Sequence, residues 1–369
     1  MKANKAYKFR IYPTNSQAIL IHKTFGCTRL VYNKMLKERK DYYEQTGKSL
    51  TGATGYAKFK DEFEFLKEVD SQALAQEWNA LNAAYRNFFN GKAGFPKFKS
   101  KKSDRKSYTT SVSNKKNPAQ RFENGKLKLP KLGLVKTKIH RFIPDDYELK
   151  SVTISYTSSG KYYASVLYEY EQEIADCPTE NIIGLDFSMS ELYVDSNGNQ
   201  PNYPRYYRQG QKKLAKLQRQ LSKMAKGSNN YHKQRRKVAR YHEHVSNSRK
   251  DFLHKQSRQI TNVCDAVVVE DLNMKNMSRS LRFGKSVHDN GWGMFTAFLS
   301  YKLHTQGKRL VKIDKWFPSS KMCFSCGELD KGLELKDRVY RCGCGHVIDR
   351  DLNAALNIKR EGERILASS

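Results

Sequence analysis

Acidic residues are scarce in this chain. Thirty-seven Asp and Glu face 68 Lys and Arg over 369 residues, leaving a formal charge of +31. That imbalance predicts a polyanionic partner, with nucleic acid ahead of an anionic membrane surface. Long apolar runs are missing too, since no stretch approaches the roughly 18 residues a spanning helix needs. The opening MKANKAYKFRIYP has no apolar signal core, so the expected setting is the cytosol, with no membrane partner. Cysteine is sparse at seven residues, and a reducing compartment argues against a disulfide framework. Hydrophobic residues reach only 38%, yet 12% of the chain is aromatic. Burial on that scale excludes global disorder, and the length allows two or three domains with cores of their own.

What is present falls into two halves. AYKFRIYP alternates basic and apolar positions and stops at Pro13, which predicts a strand. From Asn15 to about Asn90 the pattern is helical. Ile19, Leu20, Phe25, Leu30, Val31 and Leu36 are expected on one face, and Leu74, Trp78, Leu81, Tyr85 and Phe89 recur at three- and four-residue steps. The loop GKAGFPKFKSKK (91–102) interleaves Phe95 and Phe98 with five lysines. Such a loop suits base stacking and phosphate neutralisation, or simply a solvated linker. Residues 107–172 alternate as strands around a Ser-Ser-Gly turn, which fits a small barrel or sandwich. Asp-Cys-Pro at 176–178 marks a boundary.

Beyond it, NIIGLDFSMSELYVDSNGN predicts two short strands about a turn. Between Arg205 and Arg258, seventeen Lys and Arg stand against only Glu243 and Asp251. Gly227-Ser228-Asn229-Asn230 splits this stretch into a helical hairpin whose apolar stripe is Leu214, Leu217, Leu221 and Met224. A face so one-sided suits nucleic-acid contact better than solvent alone. DAVVVEDLN reads as a buried strand, WGMFTAFLSYKLHTQG as a helix, RLVKIDKWFP as a strand and DLNAALNIKR as a final helix. Alternating strands and helices predict an α/β layer fold.

Four of the cysteines cluster as Cys323-x2-Cys326, fifteen intervening residues, then Cys342-x-Cys344. Two close thiolate pairs supply the tetrahedral sulfur shell of structural zinc, although the second pair is one residue shorter than usual. His346 is an alternative ligand. A closed four-sulfur shell leaves no open position for substrate. The scattered Cys27, Cys177 and Cys264 read as core residues.

Carboxylates occupy matching kinds of position. Asp186 lies in IIGLDF, Glu270 directly follows AVVV, and Asp349 and Asp351 open the last helix, where either could be an N-cap. Functional groups in open α/β sheets gather at strand ends and adjoining helix starts. Clustered carboxylates raise each other's pKa. Two Mg²⁺ ions could offset that repulsion, activate water and stabilise the leaving oxygen of a phosphodiester. Asp195, in YVDSNG, reads as a turn residue.

Taken together, YKFRIYP, FGCTRLVYN, GFPKFKSKK, LKLPKLGLVKTK, GKYYASVL, GLDFS, RKDFLHK, VVVEDLNMKNM, GWGMF, WFPSSKMCFSCG and DRDLNAALNI resemble the TnpB family nearly end to end. These are RNA-guided nucleases of small insertion sequences, ancestral to type V CRISPR effectors. The resemblance implies a multidomain α+β protein. A wedge β-barrel would comprise 1–12 and 103–178, with a helical recognition domain, 13–102, inserted. A RuvC-like nuclease domain of RNase H-like α/β fold would comprise 179–317 and 348–369, interrupted at 318–347 by a zinc-ribbon segment that loads the target nucleic acid.

It further implies that Asp186, Glu270 and Asp351 form the catalytic triad and hold Mg²⁺, two ions in all. Asp349 would then cap the helix or support the triad. Cys323, Cys326, Cys342 and Cys344 would hold one structural Zn²⁺. Ser71, Gln72, Ala75, Gln76, Ser113 and Asn114 would read a short transposon-associated motif in duplex DNA. The partners implied are a guide RNA from the transposon end, one protein per guide, and double-stranded target DNA in a prokaryotic cytosol or nucleoid. Base pairing would carry most of the sequence specificity.

The implied activity is guided, Mg²⁺-dependent DNA cleavage. GLDFSMSEL departs from the more usual Gly- and Lys-containing run after the first aspartate. The alternative is a nuclease-inactive, RNA-guided DNA-binding regulator, as found among relatives that have lost triad residues. All three triad positions are acidic here, which favours cleavage. A transposase that moves DNA itself is disfavoured by the absence of a His-hydrophobe-His motif with an accompanying tyrosine nucleophile.

Overall fold

Tyr7, Phe9 and Ile11 alternate with the exposed Lys8 and the half-buried Arg10 along β1 (Lys2–Tyr12), and all three are buried. This strand is the middle of a seven-stranded antiparallel sheet in the computed structural model, which describes residues 1–50, 55–102, 106–114, 118–274, 276–277, 289–334 and 336–368. The expected wedge boundary at 103 and Lys275 of VVVEDLNMKNM lie outside the described residues. The chain divides into two units, Met1–Gln172 and Glu173–Ser369.

In the first unit the remaining strands are β2 (Lys106–Ser111), β3 (Arg121–Glu123), β4 (Lys126–Leu129), β5 (Gly133–Lys138), β6 (Glu148–Tyr156) and β7 (Tyr162–Glu171). Their order is β2-β6-β7-β1-β5-β4-β3, and β1 pairs with β7 from Lys2↔Glu171 to Ile11↔Tyr162. The backbone ladder ends at β2 and β3, so the sheet is a half-barrel. The buried Gln120 amide spans its two edges, donating to Thr110 Oγ1 at 2.8 Å and to the Ser111 carbonyl at 3.1 Å.

Helix α1 (Asn15–Thr46) starts at a capping box between Thr14 and Gln17 and stops at Gly47, whose φ of 65° a side chain would disfavour. Its Ile21 and Phe25 close the sheet's core. Farther along, Val31, Met35 and Leu36 meet Leu74 and Leu81 of α3 (Ser71–Phe89) in a second, helical core. The continuous helical pattern expected over 15–90 is interrupted. A 3₁₀ turn at Tyr56–Lys58, the short α2 (Phe59–Glu62) and a second 3₁₀ turn at Glu64–Glu68 connect α1 to α3. Ile19 and Phe89, expected on buried faces, are 70% and 71% exposed. The α1 stripe runs through Ile21, Phe25, Thr28, Val31, Tyr32 and Met35 and passes Ile19 by. Phe89 lies at the end of α3, stacked on Tyr85.

The second unit contains β8 (Ile182–Ser188), β9 (Leu192–Asp195), α4 (Tyr206–Ser222), α5 (Asn229–Val263), β10 (Ala266–Glu270), α6 (Trp292–His304), β11 (Arg309–Ile313), β12 (Val339–Arg341), β13 (Val347–Asp349) and α7 (Arg350–Ala367). Four strands run in the order β11-β10-β8-β9. β10 is parallel to both neighbours and β9 is antiparallel to β8.

The AVVV run is buried throughout because β10 is a central parallel strand covered on both faces. Leu253, Ile260, Phe295, Leu299 and Leu303 of α5 and α6 pack with Val267 and Val269, while Ile358 of α7 packs with Val268. The layers are helix, sheet, helix. Close approach of α7 depends on Gly184, where a Cβ would stand 2.3 Å from the Ala355 carbonyl oxygen, and on Gly362, where it would stand 2.3 Å from a Val268 methyl. Among the described residues no helix is long and apolar enough to cross a membrane.

Candidate active site

Leu185 and Val269 are register partners on parallel strands, so Asp186 and Glu270 follow side by side near the carboxyl ends of β8 and β10. Ala355 touches β8 at Gly184, which sets the first turn of α7, with Asp351, over the same end of the sheet. The titration of Asp186 reports the convergence. Burial pushes its carboxyl well above the ordinary range, the charges of Glu270 and Asp351 push it further, and Arg350 opposes them. Burial also raises Glu270, against a hydrogen bond donated by the Ser319 hydroxyl to its Oε1 at 2.5 Å. Asp186 is thus the carboxylate on which the charges of the other two act.

The two aspartates of DRD have different jobs. Asp349 is the N-cap of α7, and its Oδ1 accepts from the backbone N–H groups of Asp351 at 2.9 Å and Leu352 at 3.0 Å. Asp351 is instead gripped by guanidinium groups, Arg350 at 2.8 Å and Arg338 at 3.6 Å. Asp195 is a turn residue, its carboxylate accepting from the backbone of Asn197 and Asn199.

The Sγ atoms of Cys323, Cys326, Cys342 and Cys344 all lie within 4.8 Å of one another, and His346 is outside this group. Cys323 and Cys344 stand 3.8 Å apart, and Cys326 and Cys342 3.6 Å. The β12–β13 hairpin carries the second pair, and the fully buried Tyr340 reaches from it to the Lys321 and Glu328 carbonyls. Of the scattered cysteines, Cys27 and Cys264 are core residues as expected, whereas Cys177 is only half-buried. It sits in the irregular stretch before β8, where its backbone N–H donates to the Gly307 carbonyl at 3.1 Å.

Sequence reasoning missed the residues that fasten these parts together. Asn353 and Asn357, one helical turn apart on α7, are completely buried. Asn353 accepts from Phe324 N at 3.0 Å and donates to the Met322 carbonyl at 2.8 Å, and Asn357 donates to the Ser319 and Met322 carbonyls. They clamp the segment that leads from Ser319 into the first cysteine pair. The available signal was two amides, four residues apart, on the apolar face of an Ala/Leu-rich helix. Ser319 and Arg338 had no comparable signal, because each acts through a contact remote in sequence, whereas Arg350 is the immediate neighbour of the Asp351 it grips.

Comparison with known proteins now decides the family. A protein of Streptomyces pristinaespiralis described as a "Putative RNA-guided DNA endonuclease" is 37% identical over 374 residues, covering 98% of this chain and 90% of its own. InsQ of Escherichia coli K12, described in the same words, is 32% identical over 389 residues, covering 100% and 94%. This chain belongs to the TnpB family. The family model OrfB_IS605, described as "Probable transposase", matches residues 165–281. A helix-turn-helix model of the same group matches 1–48, and a Cas12f1-like TNB domain model matches 292–358. Residues 1–48 fold as one strand and one long helix rather than as two helices. A solved Cas12f1–sgRNA–target DNA complex shares the fold at a TM-score of 0.63 and 14% identity, covering 97% of this chain and 99% of that one.

In this TnpB-family chain the motif-reading candidates lie in the first unit. Gln76 Nε2 donates to Ser111 Oγ at 2.9 Å, and Ser111 Oγ donates to Gln72 Oε1 at 3.2 Å. The start of α3 is thereby tied to the end of β2, two residues before the exposed Ser113 and Asn114. Ser71 is exposed and accepts from Lys60 Nζ at 2.9 Å, while Ala75 is half-buried.

Proposed function

We propose that this chain is an RNA-guided, Mg²⁺-dependent DNA endonuclease. It would use a guide RNA from the transposon end, one protein per guide, and cut double-stranded DNA beside a transposon-associated motif. The observation that carries the reading is the placement of Asp186 and Glu270 side by side on β8 and β10, with the charges of Glu270 and Asp351 both reaching the buried Asp186. The donor set fits Mg²⁺, since it consists of carboxylates, and the burial of Asp186 and Glu270 and the charges of Glu270 and Asp351 on Asp186 favour a divalent cation. When bound there, Mg²⁺ would supply water activation and stabilisation of the leaving oxygen.

The chain's own groups hold that site in place. Ser319 orients Glu270, and Arg350 and Arg338 fix the Asp351 carboxylate. Asp349 caps the helix on which Asp351 rides. The four convergent sulfurs fit one structural Zn²⁺ in a closed shell.

Several finer assignments belong to the same proposal. They are the wedge division at 1–12 and 103–178, a recognition domain at 13–102, a RuvC-like domain at 179–317 and 348–369, and a zinc ribbon at 318–347. The pairing of β1 with β5 and β7 and the mixed sheet of the second unit support them. Reading of the DNA motif by Ser71, Gln72, Ala75, Gln76, Ser113 and Asn114 is supported by the side-chain link through Ser111.

The test is cleavage of a plasmid matched to the co-purified guide RNA. Asp186→Ala, Glu270→Ala and Asp351→Ala are each expected to slow cutting at least about 100-fold, the scale of losing one transition-state contact, while guide and target binding persist. A substitution that retained full cleavage would remove that residue from the triad. Guided binding without cleavage by the unaltered chain would make it a regulator instead.

A further inference from the structure

The chain has three tryptophans. Trp292 is 2% exposed in the core of the second unit, and Trp78 is partly buried with the Arg39 guanidinium 4.5 Å from its ring centroid. Trp316 is 80% exposed. An exposed indole is common enough on a loose loop, but this loop is anchored on both sides of the ring, at Asp314 and at Phe317 and Ser319. Trp316 N donates to Asp314 Oδ1 at 2.7 Å, and Phe317 N donates to the Asp314 carbonyl at 3.1 Å. The Phe317 ring packs against the cluster of Val268, Ile313 and Ile358. Ser319 N then donates to the Phe317 carbonyl at 2.8 Å, and its buried hydroxyl donates to Glu270. Of two adjacent aromatic residues, one is driven into the core and the other is held out into solvent.

The position of the exposed ring matters. Trp316 is three residues from Ser319, a path of at most about 11 Å, and Ser319 touches a carboxylate of the candidate active site. Lys315 Nζ lies 5.0 Å from the indole centroid. A flat aromatic surface beside a lysine is the pair of features that proteins use to hold single-stranded nucleic acid without reading its sequence. The ring stacks on a base and the cation meets the adjoining phosphate.

We infer that Trp316 is a stacking platform for a nucleobase of the single DNA strand presented to Asp186, Glu270 and Asp351. The inference rests on the proposed nuclease reading only in naming that strand as the substrate. Stacking would fix the position of one nucleotide relative to the carboxylates and tolerate any base, as cutting directed by a guide requires.

Intrinsic fluorescence tests it on the full chain, because Trp292 is buried, Trp78 is partly buried beside Arg39, and Trp316→Phe isolates the contribution of the exposed ring. Without added Mg²⁺, single-stranded oligothymidine is expected to quench the emission, whereas an abasic strand of equal length and charge binds without quenching. Trp316→Phe should abolish the quench. In guided cleavage, Trp316→Ala is expected to lose about 5- to 150-fold in rate, the equivalent of stacking worth 1–3 kcal/mol, and Trp316→Phe to stay within about twofold of the unaltered chain. The indole is exposed, so neither variant should lose stability, and thermal melting checks that directly.

Equal quenching by the abasic strand, or quenching that survives in Trp316→Phe, would overturn the platform. So would full cleavage by Trp316→Ala. Base-dependent quenching in a chain that never cuts guided DNA would leave the platform standing and remove the nuclease reading.

Discussion

Ser319 shows how much of a candidate site can rest on one hydroxyl. It is buried, its carbonyl accepts from Asn357, and its Oγ donates to Glu270. Glu270 is raised by burial, and this hydrogen bond is the interaction that opposes the shift, favouring the ionised form a cation needs. Partners of a metal ligand, the role proposed for Glu270, typically contribute 10- to 100-fold in metal affinity or activity. Ser319→Ala is therefore expected to raise the Mg²⁺ concentration for half-maximal guided cleavage by about 10-fold or more, with Ser319→Thr retaining most of the affinity. A Mg²⁺ titration of the cleavage rate checks it. An unchanged midpoint would mean that Ser319 packs the loop and does nothing for Glu270.

At the scale of elements, α5 and α6 meet through an unusual polar contact. Lys302 of α6 is 3% exposed, and its ammonium donates to the His254 carbonyl at 2.7 Å and to Ser257 Oγ at 2.6 Å. The Phe298 ring lies 6.0 Å away and no carboxylate shifts its titration. Burial first, and the charge of Arg258 second, lower the Lys302 pKa to about 8. The folded value thus lies below the unfolded one, and below pH 8 the lysine is protonated in both states and its burial cost is fully present. That cost fades as pH rises from about 8 towards the unfolded value near 10.5. Compared with Lys302→Met, which has no such group, the unaltered chain should gain about 1 kcal/mol of relative stability between pH 8 and pH 9. Denaturant unfolding of both proteins at the two pH values measures it. Parallel stabilities would show that the ammonium reaches water in the folded state.

For the molecule as a whole, legibility in the sequence followed the range of the interactions. AVVV declared itself a central strand because both faces are buried. Alternation in AYKFRIYP marked β1, and Gly227-Ser228 marked the break between α4 and α5. Each is written in a few neighbouring residues. The cysteine spacing was equally local, and the four sulfurs do converge. Proximity of Asp186, Glu270 and Asp351 was not local. It depends on strand register and on the two glycines that let α7 lie against the sheet, so only the resemblance to TnpB proteins joined those residues in advance. Ile19 was misplaced because the buried stripe of α1 runs along a face that excludes it, and Phe89 because periodicity predicts a face without saying where along the helix its partner ends.

Charge is the property that sequence alone fixes for the entire molecule, and it yields a quantitative expectation. Lys212, Lys216 and Arg219 of α4 and Lys223 at its C-cap recur at helical spacing, and all four are exposed. If this stripe meets phosphates of the guide RNA, each contact releases counterions and contributes about 0.7 to the slope of log affinity against log salt for single strands and about 0.9 for duplex. Replacing all four by Gln lowers the formal charge of +31 by the four charges removed. The slope should become shallower by about 3, and RNA affinity at low salt should fall steeply. Guided cleavage at saturating RNA should be largely preserved, because these residues lie on a helix separate from the strands and helix that carry the carboxylates. Salt titrations of RNA binding by the two proteins make the comparison. A slope that did not change would place the RNA elsewhere on the surface and leave the basic face of α4 to the DNA.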